Sequence, residues 1–193
     1  MLRKLTLVSI WLLALVASAC GSSPAANTGS PTPASPLPSA SPSASAKAVS
    51  YDPCVLMTAQ EASTLTGVNY TAGLEQSDAQ KRCVYGYQTT EVLMIGIVQA
   101  PDIATVQAEE AQARAALQQQ AGQGLNFTEL HGFGDTAAVI HVSQSVNGTT
   151  LALCGIYVVK GLIFFFITDV AANHAVPSNS ALEDEATKVL SRL

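Results

Sequence analysis

Apolar residues are spaced in three ways along this chain, and each spacing predicts a different kind of structure. From Leu5 to Val16 they follow one another almost without interruption. From Gly21 to Lys47 the only large apolar side chain is Leu37, set among Ser, Pro and Ala. From about Ser50 onward Val, Ile, Leu, Phe and Tyr recur in short groups separated by turn residues, as a folded domain requires.

Within that last region, Thr58-Ala59-Gln60-Glu61 has the capping-box pattern, in which a threonine hydroxyl and a glutamate carboxylate satisfy each other's backbone donors. It predicts a helix from Thr58 to Leu65, after the turn Asp52-Pro53 and ended by Gly67. Arg82 to Gln88 and Glu91 to Gln99 read as neighbouring strands about a weak Thr89-Thr90 turn. Asp102 to Gln120 is rich in Ala, Gln and Glu, carries Ile103, Val106, Ala113 and Leu117 along one side, and stops before Gly122 and Gly124, so it reads as a long helix. A strand near Phe127 to Leu130 leads through Gly132-Phe133-Gly134-Asp135 into Thr136 to Val146. Asn147-Gly148 then makes a type I′ hairpin into Thr149 to Val159. Lys160-Gly161 turns the chain again into Leu162 to Asp169. Ser180-Ala181-Leu182-Glu183 repeats the capping box, with Glu183-Asp184-Glu185 at a helix start and Leu182, Ala186, Val189 and Leu193 on its apolar side. The order is that of an α+β domain, an antiparallel sheet with helices packed on one face.

The final three strands depart from the usual alternation. With both turns tight, Tyr157, Val159, Leu162, Phe164, Phe166, Ile140 and Val142 share one face, while Ile156, Val158, Ile163, Phe165, Ile167 and Val139 share the other. A half-solvated antiparallel sheet has one polar face, and this one has none. One face is to be covered by helices and the other by the rest of the chain, a partner or an apolar ligand. Tyr157, Phe164 and Phe166 are the candidate ligand-facing rings.

The start of the chain sets its compartment. Arg3 and Lys4 precede the apolar run and Ala17-Ser18-Ala19 follows it, the layout of a secretory signal. About a dozen apolar residues are too few to cross a roughly 30 Å hydrocarbon core as a helix, so cleavage is expected rather than a permanent span. Leu15-Val16-Ala17-Ser18-Ala19-Cys20 resembles the bacterial lipobox, with Ala17 where leucine is usual. The same residues satisfy the ordinary A-x-A signal with cleavage at the same bond. The division is then a signal over 1–19, lipidated Cys20 with a disordered Ser/Pro/Ala spacer over 20–49, and an α+β domain over 50–193. The proline spacing favours extended, polyproline-like backbone with a reach of roughly 80 Å, enough to hold the domain off a membrane. Its hydroxyls are candidate O-glycan acceptors.

The whole chain has a formal charge of −5. Without Arg3 and Lys4, seven basic side chains face fourteen acidic ones, a charge of −7, which argues against nucleic acid and against attachment to anionic lipid by charge. Asp52-Pro53-Cys54-Val55-Leu56-Met57-Thr58, Cys83-Val84-Tyr85 and Gly132-Phe133-Gly134-Asp135-Thr136-Ala137 together resemble the actinobacterial lipoproteins grouped as domain of unknown function 3558. The resemblance runs in order through nearly all of the globular part. It implies a secreted, anchored α+β domain with a disulfide near its start, and it brings no activity. Ala17 in the lipobox and the extra Cys154 are its departures.

With Cys20 modified, Cys54, Cys83 and Cys154 remain, enough for one intramolecular bridge and one thiol. Cys54 with Cys83 is the preferred pair in an exported domain, joining the start of the first helix to the first good strand. Cys83 with Cys154 stays open, because sequence does not set the order of their strands. The spacing is not a C-x-x-C redox motif. Hairpin register places His141 opposite Cys154, which raises a Cys-His nucleophile. A mid-strand thiol among Ala152, Ile156 and Val158 reads better as buried and structural. His131 and His174 are isolated in turns, no ligand spacing points to a metal or cofactor, and the Gly132–Asp135 segment reads as a turn rather than a phosphate loop. Three N-x-[ST] triplets, at Asn69, Asn126 and Asn147, are discounted for a bacterial chain. These readings favour a non-enzymatic binding or scaffold module of unknown partner, an envelope protein or an apolar ligand, lipid-anchored to the outer face of the bacterial cytoplasmic membrane. A carrier of an apolar envelope ligand is the alternative, and a hydrolase ranks third.

Overall fold

The computed structural model describes residues 50–77, 80–121, 125–146, 149–172 and 174–193. The signal, Cys20, the spacer, Gly122 and Gly124, and the Asn147-Gly148 turn lie outside them. Ser50–Leu193 is one compact unit.

Local chemistry starts the first two helices, the second of them where the sequence predicts it. A one-turn helix α1, Pro53–Leu56, has Asp52 as its N-cap, with the carboxylate accepting from the Cys54 amide at 2.8 Å, and proline at its first position. Helix α2, Ala59–Thr66, begins with the full capping box between Thr58 and Glu61 and ends at Gly67 in the left-handed region, φ 74°. The short α1 was not foreseen, since four residues give no periodicity.

Seven strands follow: β1 Gly73–Ser77, β2 Lys81–Tyr85, β3 Val92–Gln99, β4 Asn126–Leu130, β5 Thr136–Val146, β6 Thr149–Lys160 and β7 Ile163–Ala171. They form one sheet in the order β1-β2-β3-β7-β6-β5-β4, with every neighbouring pair antiparallel. Two meanders meet where β3 pairs with β7. The 19-residue helix α3, Ile103–Ala121, carries the chain from the first meander to the second. Edge strand β1 escapes sequence reading because Gly73-Leu74-Glu75-Gln76-Ser77 has low strand propensity and gains its structure by pairing with β2.

The two apolar faces exist as expected. Leu93, Ile95, Ile97, Val139, Ile156, Val158, Phe165 and Ile167 lie in one core, with residues of α1, α2 and the C-terminal helix α4, Asn179–Arg192. Ile140, Val142, Tyr157, Val159 and Phe164 lie in a second core, with Val106, Ala113 and Leu117 of α3. The α+β class and the antiparallel sheet are as expected. The helices, however, occupy both faces rather than one, because α3 brings its small apolar stripe to the second. The second tight turn also differs: Lys160 pairs with Ile163, so its loop is Gly161-Leu162 and not Lys160-Gly161. Gly161 at φ 57° supplies the positive φ that a type II′ turn needs at its first position. The slip is two residues, so each strand keeps its faces. Leu162 alone leaves the strand for the loop.

Helix α4 is capped by Ser178, whose hydroxyl accepts from the Ala181 amide at 3.2 Å, rather than by Ser180. Ser178 directly follows Pro177 and is extended there, as an N-cap must be. The acidic run therefore sits beyond the first turn, and Glu185 is buried against the first core with Lys188 Nζ at 2.8 Å. At the other end of α4, Arg192 binds the Leu56 carbonyl and the Glu61 carboxylate. The Arg192 guanidinium holds the Glu61 carboxyl down at about 2. A Cys54–Cys83 disulfide ties α1 to β2, and Cys154 is the free, buried thiol among the described residues. Cys83 lies across from Ile95 and Cys154 across from Asp169, one register row apart with β3 and β7 between their strands, which closes the alternative bridge. Gly132 and Gly134 have φ of 87° and 62°, and the Asp135 carboxylate accepts from the Gly161 amide at 2.6 Å, so this segment is a turn pinned to the β6–β7 turn.

Candidate functional site

On the second face one register row runs Gly96, Phe166, Tyr157, Ala138 and Glu129 across β3, β7, β6, β5 and β4. Phe166 lies over Gly96, where a Cβ would overlap its ring. Tyr157, Phe164 and Phe166 stack in series, with centroids 6.0 and 6.1 Å apart. The three sequence-picked rings do form one cluster. What sits above them is α3: the Arg114 guanidinium lies 5.0 Å from the Phe127 centroid and 5.2 Å from that of Tyr157. Arg114 also pairs with Glu110 at 3.3 Å and Glu129 at 2.6 Å, and the Tyr157 hydroxyl donates to Glu110 at 3.3 Å. Tyr157 and Phe164 are buried, and burial raises the Tyr157 phenol far above its ordinary range. Cation, carboxylates and hydroxyl satisfy one another, so α3 is fastened to the sheet by a polar clasp over an aromatic floor.

The second core stops short of one corner of this face. Val92, Met94 and Val170 belong to neither core and are half-buried, whereas Leu93, Ile95 and Ile167 beside them on the opposite face have no exposure. Register brings Leu74, Val84 and Met94 into one row and Val92, Val170 and Leu153 into the next. Leu74 on the edge strand is 46% exposed. The result is a partly covered apolar corner spanning β1, β2, β3, β7 and β6, with Val84 buried within it and Leu153 packed against the second core, beside the part of the sheet that α3 occupies.

At the same end of the sheet, on the first face, lies a polar cluster that the sequence reading missed. Asp169 of β7 is fully buried, and its Oδ2 is 2.9 Å from His174 Nε2. The other ring nitrogen, Nδ1, meets Glu91 Oε2, directly before β3. Desolvation raises the Asp169 carboxyl, although His174 partly opposes it. Desolvation works against the imidazolium of His174, and the two carboxylates outweigh it and raise its pKa. The missed signal was Asp169 itself. A carboxylate in the apolar run Ile163–Ala171 has to meet a donor, and His174 is five residues on.

Cys154 lies between His141 and Asp169 in the cross-strand row, so the expected Cys-His juxtaposition exists. Burial and the Asp169 charge push its thiol up to about 12, so it is protonated and inert. His141 Nε2 is turned to Asn179 Oδ1 at 2.6 Å, at the start of α4. Among the described residues no group of three or more His, Cys, Asp and Glu is arranged to hold a metal, and no helix is long and apolar enough to cross a membrane. Ser50–Leu193 is thus a single antiparallel sheet between helical layers, with a clasped aromatic cluster and a partly covered apolar corner. No family model matches the chain, and no curated protein matches it in sequence.

Proposed function

We propose that this chain is an exported lipoprotein, anchored through Cys20, whose domain is a non-enzymatic module binding a protein partner in the bacterial envelope. The apolar corner around Leu74, Met94 and Val170 carries this reading, since these side chains are left exposed or half-covered while Leu93, Ile95 and Ile167 on the opposite face are fully buried. A patch on a strand face suits the apolar patch of another protein better than an acyl chain, which needs enclosure. The acidic surplus of the mature chain favours a partner with basic residues around that patch. The resemblance to the lipoproteins of domain of unknown function 3558 and the spacer between Cys20 and the domain support the location. Tyr157 and Phe164 are buried, with Tyr157 beneath the Arg114 clasp of α3, which supports a contact surface beside the ring cluster rather than on it. The thiol and imidazoles described above are engaged in structural contacts, which supports a binding role over a hydrolytic one.

Two measurements test the proposal. Envelope-derived protein should have an intact mass corresponding to a diacylated Cys20 at its start, and Cys20→Ser should release the chain to the medium; an unmodified mature protein would remove the anchor. A photo-cross-linking residue at Met94 should give one discrete protein adduct in intact envelopes, and the same residue at exposed Ala111 on α3 should not. Leu74→Glu, which places a charge in the patch, should reduce the Met94 adduct about tenfold, the cost of roughly 1.4 kcal/mol in a binding equilibrium. Adducts to lipid alone would establish the carrier instead, and no adduct at Met94 would overturn the docking corner.

A further inference from the structure

The His174 cluster fastens parts of the chain that are far apart in sequence. Asp169 belongs to the end of β7, Glu91 stands before β3, and His174 lies between β7 and α4, four residues before the Ser178 cap. Both ring nitrogens are taken, one by each carboxylate, and two donors on one imidazole require the imidazolium form. Glu91 Oε2 also accepts from the Ala172 amide at 3.4 Å. The other titratable groups facing this cluster are Tyr70, before β1, and Cys154 on β6, with His141 of β5 next to Cys154 in register. Desolvation, assisted by the Asp169 and Glu91 charges, raises Tyr70 to about 12, so Tyr70 and Cys154 both stay neutral through the range in which His174 titrates.

We propose that the Glu91–His174–Asp169 cluster is a pH-sensitive latch that holds the lead-in of α4, residues 174–178, to the end of the sheet while His174 carries its proton and loosens it when that proton leaves. A neutral imidazole donates once, so one of the two carboxylates then faces a ring lone pair at contact distance. The buried Asp169 charge also loses its counter-charge. The three groups titrate as a unit. The sign follows from the raised His174 value. The folded state binds the proton more tightly than the unfolded chain, so this stabilisation is fully present below the ordinary histidine pKa of about 6.5 and is lost as pH rises through the folded value. The raised Asp169 carboxyl acts in the same direction, taking a proton in the folded state before it would in the unfolded one. The latch is therefore closed below the ordinary histidine pKa and opens as pH rises through the raised folded value of His174. Beyond it, His141 and Asn179 join the same helix start to β5, so loosening the lead-in bears on the seating of α4 over Cys154.

The test uses the mature full-length chain. Hydrogen exchange at residues 174–186, corrected for the intrinsic base-catalysed rate, should quicken severalfold between pH 6 and pH 9 as the His174 proton is lost, and thermal midpoints should fall over the same range. In His174→Gln, which donates one hydrogen bond and does not titrate, both profiles should be flat above pH 6. Glu91→Gln removes one of the two charges, so the His174 titration followed by NMR should move to lower pH than in the parent chain. A parent His174 titrating below 6.5, or an unchanged pH dependence in His174→Gln, would overturn the latch. If neither variant folds, the parent NMR titration decides alone.

Discussion

Replacing Phe165 with alanine is expected to destabilise the folded domain by about 3 to 5 kcal/mol, the range for truncating a fully buried phenylalanine. Phe165 has no exposed surface and sits in the row Ile97, Phe165, Val158 and Ala137, at the centre of the first face. Both neighbouring strands hold its backbone, so the sheet cannot close the cavity by shifting, and α4 on the same core is itself tethered through Arg192. Phe165→Leu keeps most of the volume and should cost less than about 1.5 kcal/mol. Phe166→Ala, next in sequence but half-buried on the other face, should cost clearly less than Phe165→Ala. Urea unfolding with unchanged m-values checks all three. A Phe165→Ala loss no larger than that of Phe166→Ala would mean that the first face is not the better packed one.

Breaking the Cys54–Cys83 bridge should cost a comparable amount. The bridged residues are 29 apart, for which chain entropy predicts roughly 3.5 kcal/mol, within the 2 to 5 kcal/mol seen when small exported domains lose a disulfide. Cys54→Ser and Cys83→Ser should be alike, and the double variant little worse than either, since all three remove one bond. The loss is structural as well, because α1 touches β2 through this bridge and Tyr85 of the same strand donates to the Met57 carbonyl just after α1. Cys154→Ala removes one small buried group and should cost less than any of these. Denaturant unfolding in oxidising buffer gives the energies, and non-reducing peptide mapping gives the pairing. A bridged peptide containing Cys154 would contradict the scheme.

Much of this molecule is written in short-range chemistry. The Thr58–Glu61 capping box, Gly67, the β5–β6 hairpin register and the apolar face of α4 are each settled by residues within one or two turns of each other. That is why helix α2, three consecutive strands and the last helix were legible in sequence. The double-sided apolar pattern of those strands was legible too, because side chains alternate with a fixed period of two. What covers each face was not, since a period says which residues share a face and nothing about what packs there. α3 carries mostly Ala, Gln and Glu, and its place as the second layer shows only in the fold, where Val106, Ala113 and Leu117 pack on the sheet and Arg114 clasps the aromatic floor beneath.

The remaining distinctions depend on strand order, a long-range property. Joining β3 to β7 separates Cys83 from Cys154 and leaves Cys54 as the bridge partner. The same junction brings Glu91 within reach of Asp169 and His174, more than seventy residues later, and turns an apparently isolated histidine into the centre of an ion cluster. It also sets Met94 beside Val170 to make the apolar corner. Local propensity cannot encode such meetings, because they are decided by which pairing of strands buries the most apolar surface on both faces at once.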